Sequence, residues 1–514
     1  MPVITDTAQE RLCHGMAQLA AVVARTFGPN AGTVISSGPG SECELLSSSG
    51  PVARRIVELP RRSDGPGAML LRHAIWRMHD EVGDGGAMTA VLIKAILDAG
   101  FRLIRAGIDV TGLREGLQLA GAATRSALRS QALPSSVEPL LVSAFGASDL
   151  TTQLARMCTE LGPDGYVDIR EDVAATASYR TIPGGRWSAR PFTPSLAGSR
   201  ELLLTDPYIL VTDRDIADAR DISGLLDAIL GEDGGPLLIV ARNVTGAALR
   251  VIQANRRILP VAACGLTPET HWRDHLEDLA CCTRSRFFSD QLGVRLAGAR
   301  TDDLGYAQHV RLRADTMEVL GGAGDLDECA RRRGALRHAL EQETQDAERD
   351  TLRQRIGNLA GRTAVLRLAA APDMERAAAR ITAERAIRLA AAASAGTVAG
   401  GGAALVHCQN SLDGLSGADP AVCLGIRLLR DALAAPLRRI ARDRPGVVEA
   451  VREAGSLYGY DAMADEITDV RQRGILDSAV VLCRVVETAV STAGTALTTA
   501  ALVLSRTPEL SLNP

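Results

Sequence analysis

Apolar side chains recur at helical spacing through residues 8–25, and the run stops at Thr26-Phe27-Gly28-Pro29, where glycine and proline forbid its continuation. A second helical stretch covers 69–81 and runs into Val82-Gly83-Asp84-Gly85-Gly86, after which the same periodicity resumes over 88–104. Residues 105–131 read as one further helix, broken at Pro134-Ser135-Ser136. A glycine-rich loop carrying a single Asp between two helices is the first candidate site.

The texture changes from about residue 180. Runs of β type occur at 208–211, 236–240 and 258–262, and helical stretches flank the middle one on both sides, the pattern of α/β units. Residues 329–358 are charged and helical, a solvated helix pair. The last third returns to Ala-rich helix, interrupted by Gly400-Gly401-Gly402. Helical ends around a mixed middle predict a domain assembled from both termini with another inserted into it.

A chain of 514 residues has room for about three domains. Lys and Arg number 57 against 61 Asp and Glu, so no overall positive field collects nucleic acid or anionic membrane. Aromatic residues are only 3% of the chain, too few for platforms that stack bases or sugars. Lys94 is the sole lysine; every other Lys or Arg position is arginine. The ten cysteines form no CxxC pair, as expected of reduced intracellular thiols. The opening MPVITDTAQERLCHG lacks the apolar core of a signal peptide, and the uncharged stretch 488–504 falls short of about 20 apolar residues. The expectation is a cytoplasmic protein.

Seven segments, kept in order, carry a resemblance: Thr26-Phe27-Gly28-Pro29, Gly83-Asp84-Gly85, RAGIDVTGLREGLQLA (105–120), NLAGRTAVLRLAA (358–370), VAGGGAAL (398–405), LYGYDA (457–462) and RGILDSAVV (473–481). From near the N-terminus to about residue 508 the chain resembles the group I chaperonins of the GroEL type. The resemblance implies a multidomain α+β fold: a helical equatorial domain (1–131 and 396–514), a small intermediate hinge domain (132–179 and 363–395) and an inserted α/β apical domain (180–362). It also implies homo-oligomeric rings, ATP with Mg²⁺, non-native polypeptides as partners and a co-chaperonin lid. The chain ends in TPELSLNP where the family has a Gly-Gly-Met-rich tail.

Carried over residue by residue, the resemblance puts Thr26, Phe27, Gly28 and Pro29 at the phosphates and base and Asp84 on the metal. Gly85, Gly86, Ala87 and Met88 follow at the phosphates, Gly401 lies against the ribose, and Asp461, Ala462, Met463 and Asp477 surround the adenine and ribose hydroxyls. Departures from the family pattern concentrate on hydrolysis. A Lys-Asp-Gly segment is replaced by Ser48-Ser49-Gly50, and three phosphate-binding threonines by Gly86-Ala87-Met88. The catalytic Asp aligns on Glu384, which moves the carboxylate by one methylene; displacements near 1 Å cost about a hundredfold in rate. The expectation is weak or lost ATPase, with a site dead for binding as the alternative.

For polypeptide and lid, the resemblance points to an exposed apolar groove made by Trp187 and Phe192 in a loop, Leu226 in one helix, and Leu249 and Ile252 in the next. The groove is thinned, since two usual valines are Gln253 and Ala254 and an aromatic is Pro191. His271 and His275, spaced i, i+4 ahead of Cys281-Cys282, would suit a metal clip, although the family has none there. A metabolic enzyme has no coherent nucleophile or acid/base set in this chain. Two readings remain: an ATP-binding folding chaperonin, or a non-hydrolysing structural or regulatory paralogue that co-assembles with or modulates a standard one.

Overall fold

The computed structural model describes residues 3–504 except 5–6, 30, 38–42, 135, 172–175, 193–200, 233, 256–257, 268–270, 290, 292, 294–295, 370–372 and 418. The TPELSLNP tail and Ser135 of the expected break lie outside the described residues. The helices, in chain order, are α1 (Ala8–Val23), α2 (Ser49–Arg55), α3 (Gly65–Val82), α4 (Gly86–Arg105), α5 (Val110–Gln131), α6 (Val137–Phe145), α7 (Asp149–Leu161), α8 (Ser223–Glu232), α9 (Gly246–Asn255), α10 (Trp272–Thr283), α11 (Leu326–Gln342), α12 (Asp346–Ala360), α13 (Asp373–Ala392), α14 (Ala403–His407), α15 (Pro420–Ala432), α16 (Ala435–Ile440), α17 (Val447–Ala454) and α18 (Ala479–Thr498). They fall, with the strands, into two compact units, one of 1–159, 172–177 and 368–514, the other of 160–171 and 178–367.

The first unit is helical and joins both ends of the chain. Leu19 of α1, Leu71, Ile75 and Met78 of α3, Leu92, Ile93 and Ile96 of α4 and Leu113 and Leu117 of α5 are fully buried in it. The apolar face of each helix, repeating every three to four residues, is what places them there. Asp109 starts α5 by accepting the Gly112 N–H at 2.7 Å. α5 and α15 approach closely because Gly116 and Gly425 face each other; a Cβ on Gly116 would lie 2.1 Å from the Val422 carbonyl oxygen. α18 is long and apolar enough to cross a membrane, yet Val485, Val486, Ala489 and Ala493 are buried in the unit, as in a core helix.

The second unit is built on an eight-stranded sheet. Hydrogen bonding runs from Tyr208–Thr212 through Leu237–Val240, Val261–Leu266, Gly184–Pro191, Thr316–Gly322 and Gly305–Arg313, then returns to Tyr208–Thr212, closing a ring of six strands. The first three are parallel, and all four residues of Leu237–Val240 are buried, because both faces of that strand are covered. Leu210, Ile239 and Ala263 face a core shared with α8 and α9, while Ile209, Leu238 and Ala262 face the other side. The third expected run, 258–262, is displaced. Its strand begins at Val261, after Pro260, which has no N–H to give a ladder, and Ile258 is left exposed.

Candidate functional site

The turn between α3 and α4 holds Asp84 between two left-handed glycines, Gly83 (φ 73°) and Gly85 (φ 81°). Gly83 closes α3 by donating its N–H to the His79 carbonyl at 3.1 Å. A Cβ there would lie 2.4 Å from the Arg385 carbonyl oxygen, and one on Gly85 would lie 2.8 Å from Val485. Glycine is therefore required at both places by conformation and by space. Gly86, Ala87 and Met88 form the first turn of α4, whose N–H groups lack intrahelical acceptors and suit an anion. The next hydroxyl along, Thr89, does not replace the missing threonines, because it donates to the Gly85 carbonyl at 3.0 Å.

A second wall comes from the far end of the chain. The short strand Thr397–Ala399 pairs with Leu476–Ser478, setting Val398 opposite Asp477. Gly401 and Gly402 follow, both at positive φ, and both donate backbone N–H groups to the Asp477 carboxyl. Burial raises the Asp477 pKa to about 7, the negative charge of Asp84 adds to the rise, and the two glycine N–H groups oppose it. Its Oδ2 is buried with no hydrogen-bond partner among the described residues. Such an orphaned acceptor suits a ligand hydroxyl.

Thr26–Pro29 reaches this place beside α16. Thr26 Oγ1 ends α1 on the Val23 carbonyl at 2.8 Å, and Gly28 turns at φ 88° with a Cβ position 3.4 Å from Ile440. At the other end of α16, the Leu437 nitrogen is 2.9 Å from the Cβ position of Gly402. These approaches link Thr26–Pro29, Gly401–Gly402, Asp477 and Asp84 across more than 400 residues. Asp461-Ala462-Met463 lies on the flank, where the Tyr460 carbonyl oxygen is 3.9 Å from the Cβ position of Gly401. There Asp461 is spent on its own turn, accepting from the N–H groups of Met463 and Ala464 at 2.9 and 3.1 Å, while Ala462 packs inward and Met463 is 72% exposed.

The cation in the site is one that sequence reading missed. Arg385 of α13 donates to the Gly83 carbonyl at 2.8 Å and to Asp84 Oδ1 at 3.2 Å, and its guanidinium lies 4.8 Å from the centre of the Phe145 ring. Its side chain is only 13% exposed. Glu384, one position earlier, points along its own helix and accepts from Arg380 at 3.2 Å. The only advance signal was an arginine adjoining the aligned carboxylate. Ser49 was also underrated: its Oγ is 2.5 Å from the Cβ position of Gly86, so the α2 N-terminus fills the space beside the α4 N-terminus.

No three His, Cys, Asp or Glu side chains among the described residues are arranged to hold a metal by themselves. One partly exposed carboxylate beside an anion cradle nevertheless fits Mg²⁺, which commonly binds through one or two carboxylates together with phosphate oxygens and water. The Asp84 carboxylate would share its charge between that ion and Arg385.

In the second unit the expected groove is corrected. Trp187 is not in a loop but on the strand Gly184–Pro191, 2% exposed, with its indole laid on Gly185. Leu226 and Ile252 occupy the expected helices, α8 and α9, yet are 2% and 0% exposed. All three fill the sheet cores, because strand alternation and helix periodicity turn them inward. Phe192 and Leu249 are half-buried at the edge of the same core. His275 is buried and His271 pairs with Glu348 at 3.0 Å, so the two histidines do not converge on a clip.

The TCP-1/cpn60 chaperonin family model matches residues 19–161 and 216–507. These segments hold the Asp84 turn, Gly401–Gly402 and Asp477. With most of its length matched and both walls of the site inside the match, the chain belongs to the TCP-1/cpn60 chaperonin family.

Proposed function

We propose that this chain is a ring-forming group I chaperonin subunit that binds ATP and non-native polypeptide to assist protein folding, with weak or lost hydrolysis. The observation that carries the nucleotide reading is Asp477, whose carboxyl takes the Gly401 and Gly402 N–H groups yet keeps one buried oxygen, Oδ2, without a partner, within the field of Asp84. In this reading Asp477 takes a ribose hydroxyl, Gly401 packs on the sugar, and Thr26–Pro29 and the first turn of α4 hold the phosphates. Mg²⁺, when bound on Asp84, would neutralise phosphate charge. Arg385 supports Asp84 and supplies part of the positive charge that the lost lysine leaves unfilled. Glu384, turned toward Arg380, would have to leave that partner to orient water. The domains follow the division into 1–131 and 396–514 (equatorial), 132–179 and 363–395 (intermediate), and 180–362 (apical). Phe192 and Leu249, with the exposed Ile258 after α9, are the proposed apolar contacts for unfolded chains and for a co-chaperonin lid.

A second reading, a non-hydrolysing paralogue that co-assembles with or modulates a standard chaperonin, is favoured by the Arg385–Asp84 pair, which occupies the metal's carboxylate without any ligand. One experiment separates them: nucleotide binding by titration calorimetry beside steady-state hydrolysis and refolding of a denatured enzyme. Binding with refolding supports the first reading. Binding without turnover, with refolding only when a standard chaperonin is added, supports the second. No nucleotide binding refutes the proposed site.

A further inference from the structure

Three thiols meet where α10 ends and α11 begins. Cys281 and Cys282 are consecutive near the C-terminus of α10, and Cys329 is in the first turns of α11. The Sγ atoms of Cys281 and Cys329 are 3.3 Å apart, while the Cys282 thiol donates to the Asn358 carbonyl at 3.6 Å. The frame around them is tight. The Gly324 N–H donates to the Cys282 carbonyl at 2.9 Å, and Cβ atoms on Gly322 and Gly324 would both lie 2.3 Å from backbone oxygens of Cys282 and Cys281. Arg332 ties α11 to α10 through Asp278 at 2.5 Å and Glu277 at 3.1 Å, and Leu336, Ile356 and Leu359 close the floor.

We propose that Cys281 and Cys329 form a reversible, peroxide-sensitive dithiol site in the second unit. A disulfide needs sulfurs about 2.05 Å apart, so the pair has little more than 1 Å to close within an already fixed backbone. The chemistry is that of a hydroperoxide with two thiols. One sulfur of the pair attacks the distal oxygen as thiolate, the O–O bond breaks, and the departing oxyanion takes a proton from solvent. The other sulfur then attacks the sulfenic sulfur, the S–O bond breaks, and hydroxide takes the second thiol's proton and leaves as water. Two thiols are oxidised and one peroxide is reduced by two electrons. Cys329 is buried and Cys281 only partly so, and a small oxidant enters from the Cys281 side. The sulfur–sulfur contact favours a single thiolate shared by the pair, and Arg333 beside Cys329 adds to that preference. By contrast Cys158, Cys264 and Cys408 are buried, with thiols pushed up to about 12, and are poor nucleophiles.

The test uses the full chain, reduced, exposed to one equivalent of hydrogen peroxide, blocked with an alkylating agent and cleaved after arginine. A linked pair of the peptides 274–284 and 314–331 is expected, bonded through Cys281 and Cys329, with free thiols falling from ten to eight and returning on addition of dithiothreitol. In Cys281→Ser the yield should drop at least about tenfold, with Cys329 instead trapped as sulfenic acid by a dimedone probe. Oxidation of Cys13 or Cys423 ahead of this pair, a link through Cys282, or ten free thiols after treatment would each overturn the assignment.

Discussion

Asp477 carries a charge that folding makes costly to keep. Its folded pKa, about 7, is above the ordinary carboxyl value of 3.8, so the folded state holds the proton more tightly than the unfolded chain. The penalty is absent below about pH 4, grows as pH rises and is complete above pH 7. His79 works in the opposite sense. Burial lowers its pKa to about 3, so stability is lost as pH falls from 6.5 toward 3, and the two slopes mask each other in the native protein. A difference measurement separates them: Asp477→Asn should raise stability at pH 8 by about 1–3 kcal/mol and leave it unchanged at pH 4, while weakening nucleotide binding. Equal denaturant midpoint shifts at both pH values would contradict this. Asp84→Ala should abolish Mg-ATP binding in a titration and strand the Arg385 guanidinium. The stability cost should be about 2 kcal/mol, below that of a fully buried pair because Asp84 is 35% exposed. Arg385→Gln should retain nucleotide binding but make it depend more steeply on Mg²⁺.

Between elements, the losses in the site prove to be packed in. Ser49 at the start of α2 fills the room that a side chain on Gly86 would need, so restoring one hydroxyl alone is obstructed. Gly86→Thr should cost about 1–2 kcal/mol, and Ser49→Gly in the same chain should recover most of it, a coupling readable in a double-mutant cycle. Additive effects would mean that the two helix ends are independent. The same logic sorts the second unit. Trp187→Ala should cost about 3–5 kcal/mol as a core deletion. Leu249→Ser should reduce capture of a denatured polypeptide with a much smaller thermal shift. The turn between α3 and α4 was legible in the chain, since Gly83 and Gly85 mark it by backbone chemistry alone, whereas the start of α5 was not: the expected helix 105–131 begins only at Val110, after Asp109. The inward turn of Trp187 was not, because an aromatic in a short segment reads alike in a loop and in a buried strand.

For the whole molecule, hydrolysis requires positioned water and stabilised charge together, and each lost stabiliser commonly costs on the order of 10²–10³ in rate. Steady-state turnover should therefore fall at least about a hundredfold below a standard chaperonin assayed beside it, and comparable rates would show that Arg385 and Glu384 compensate fully. Sedimentation of the purified chain should give a species several subunits in size if rings form. By itself the sequence determined the helical ends of the chain, the glycine-rich turns that break them and the α/β middle, because these rest on short-range periodicity and on residue types that few backbones tolerate; the grouping of Asp84, Gly401 and Asp477 came from the resemblance, not from spacing. Tertiary structure alone decided where side chains point. Arg385 reaches Asp84 across 301 positions, Cys281 meets Cys329 across 48, and Leu226 and Ile252 turn inward rather than to solvent. Each depends on which faces of distant elements pack together, and no local spacing along the chain encodes that choice.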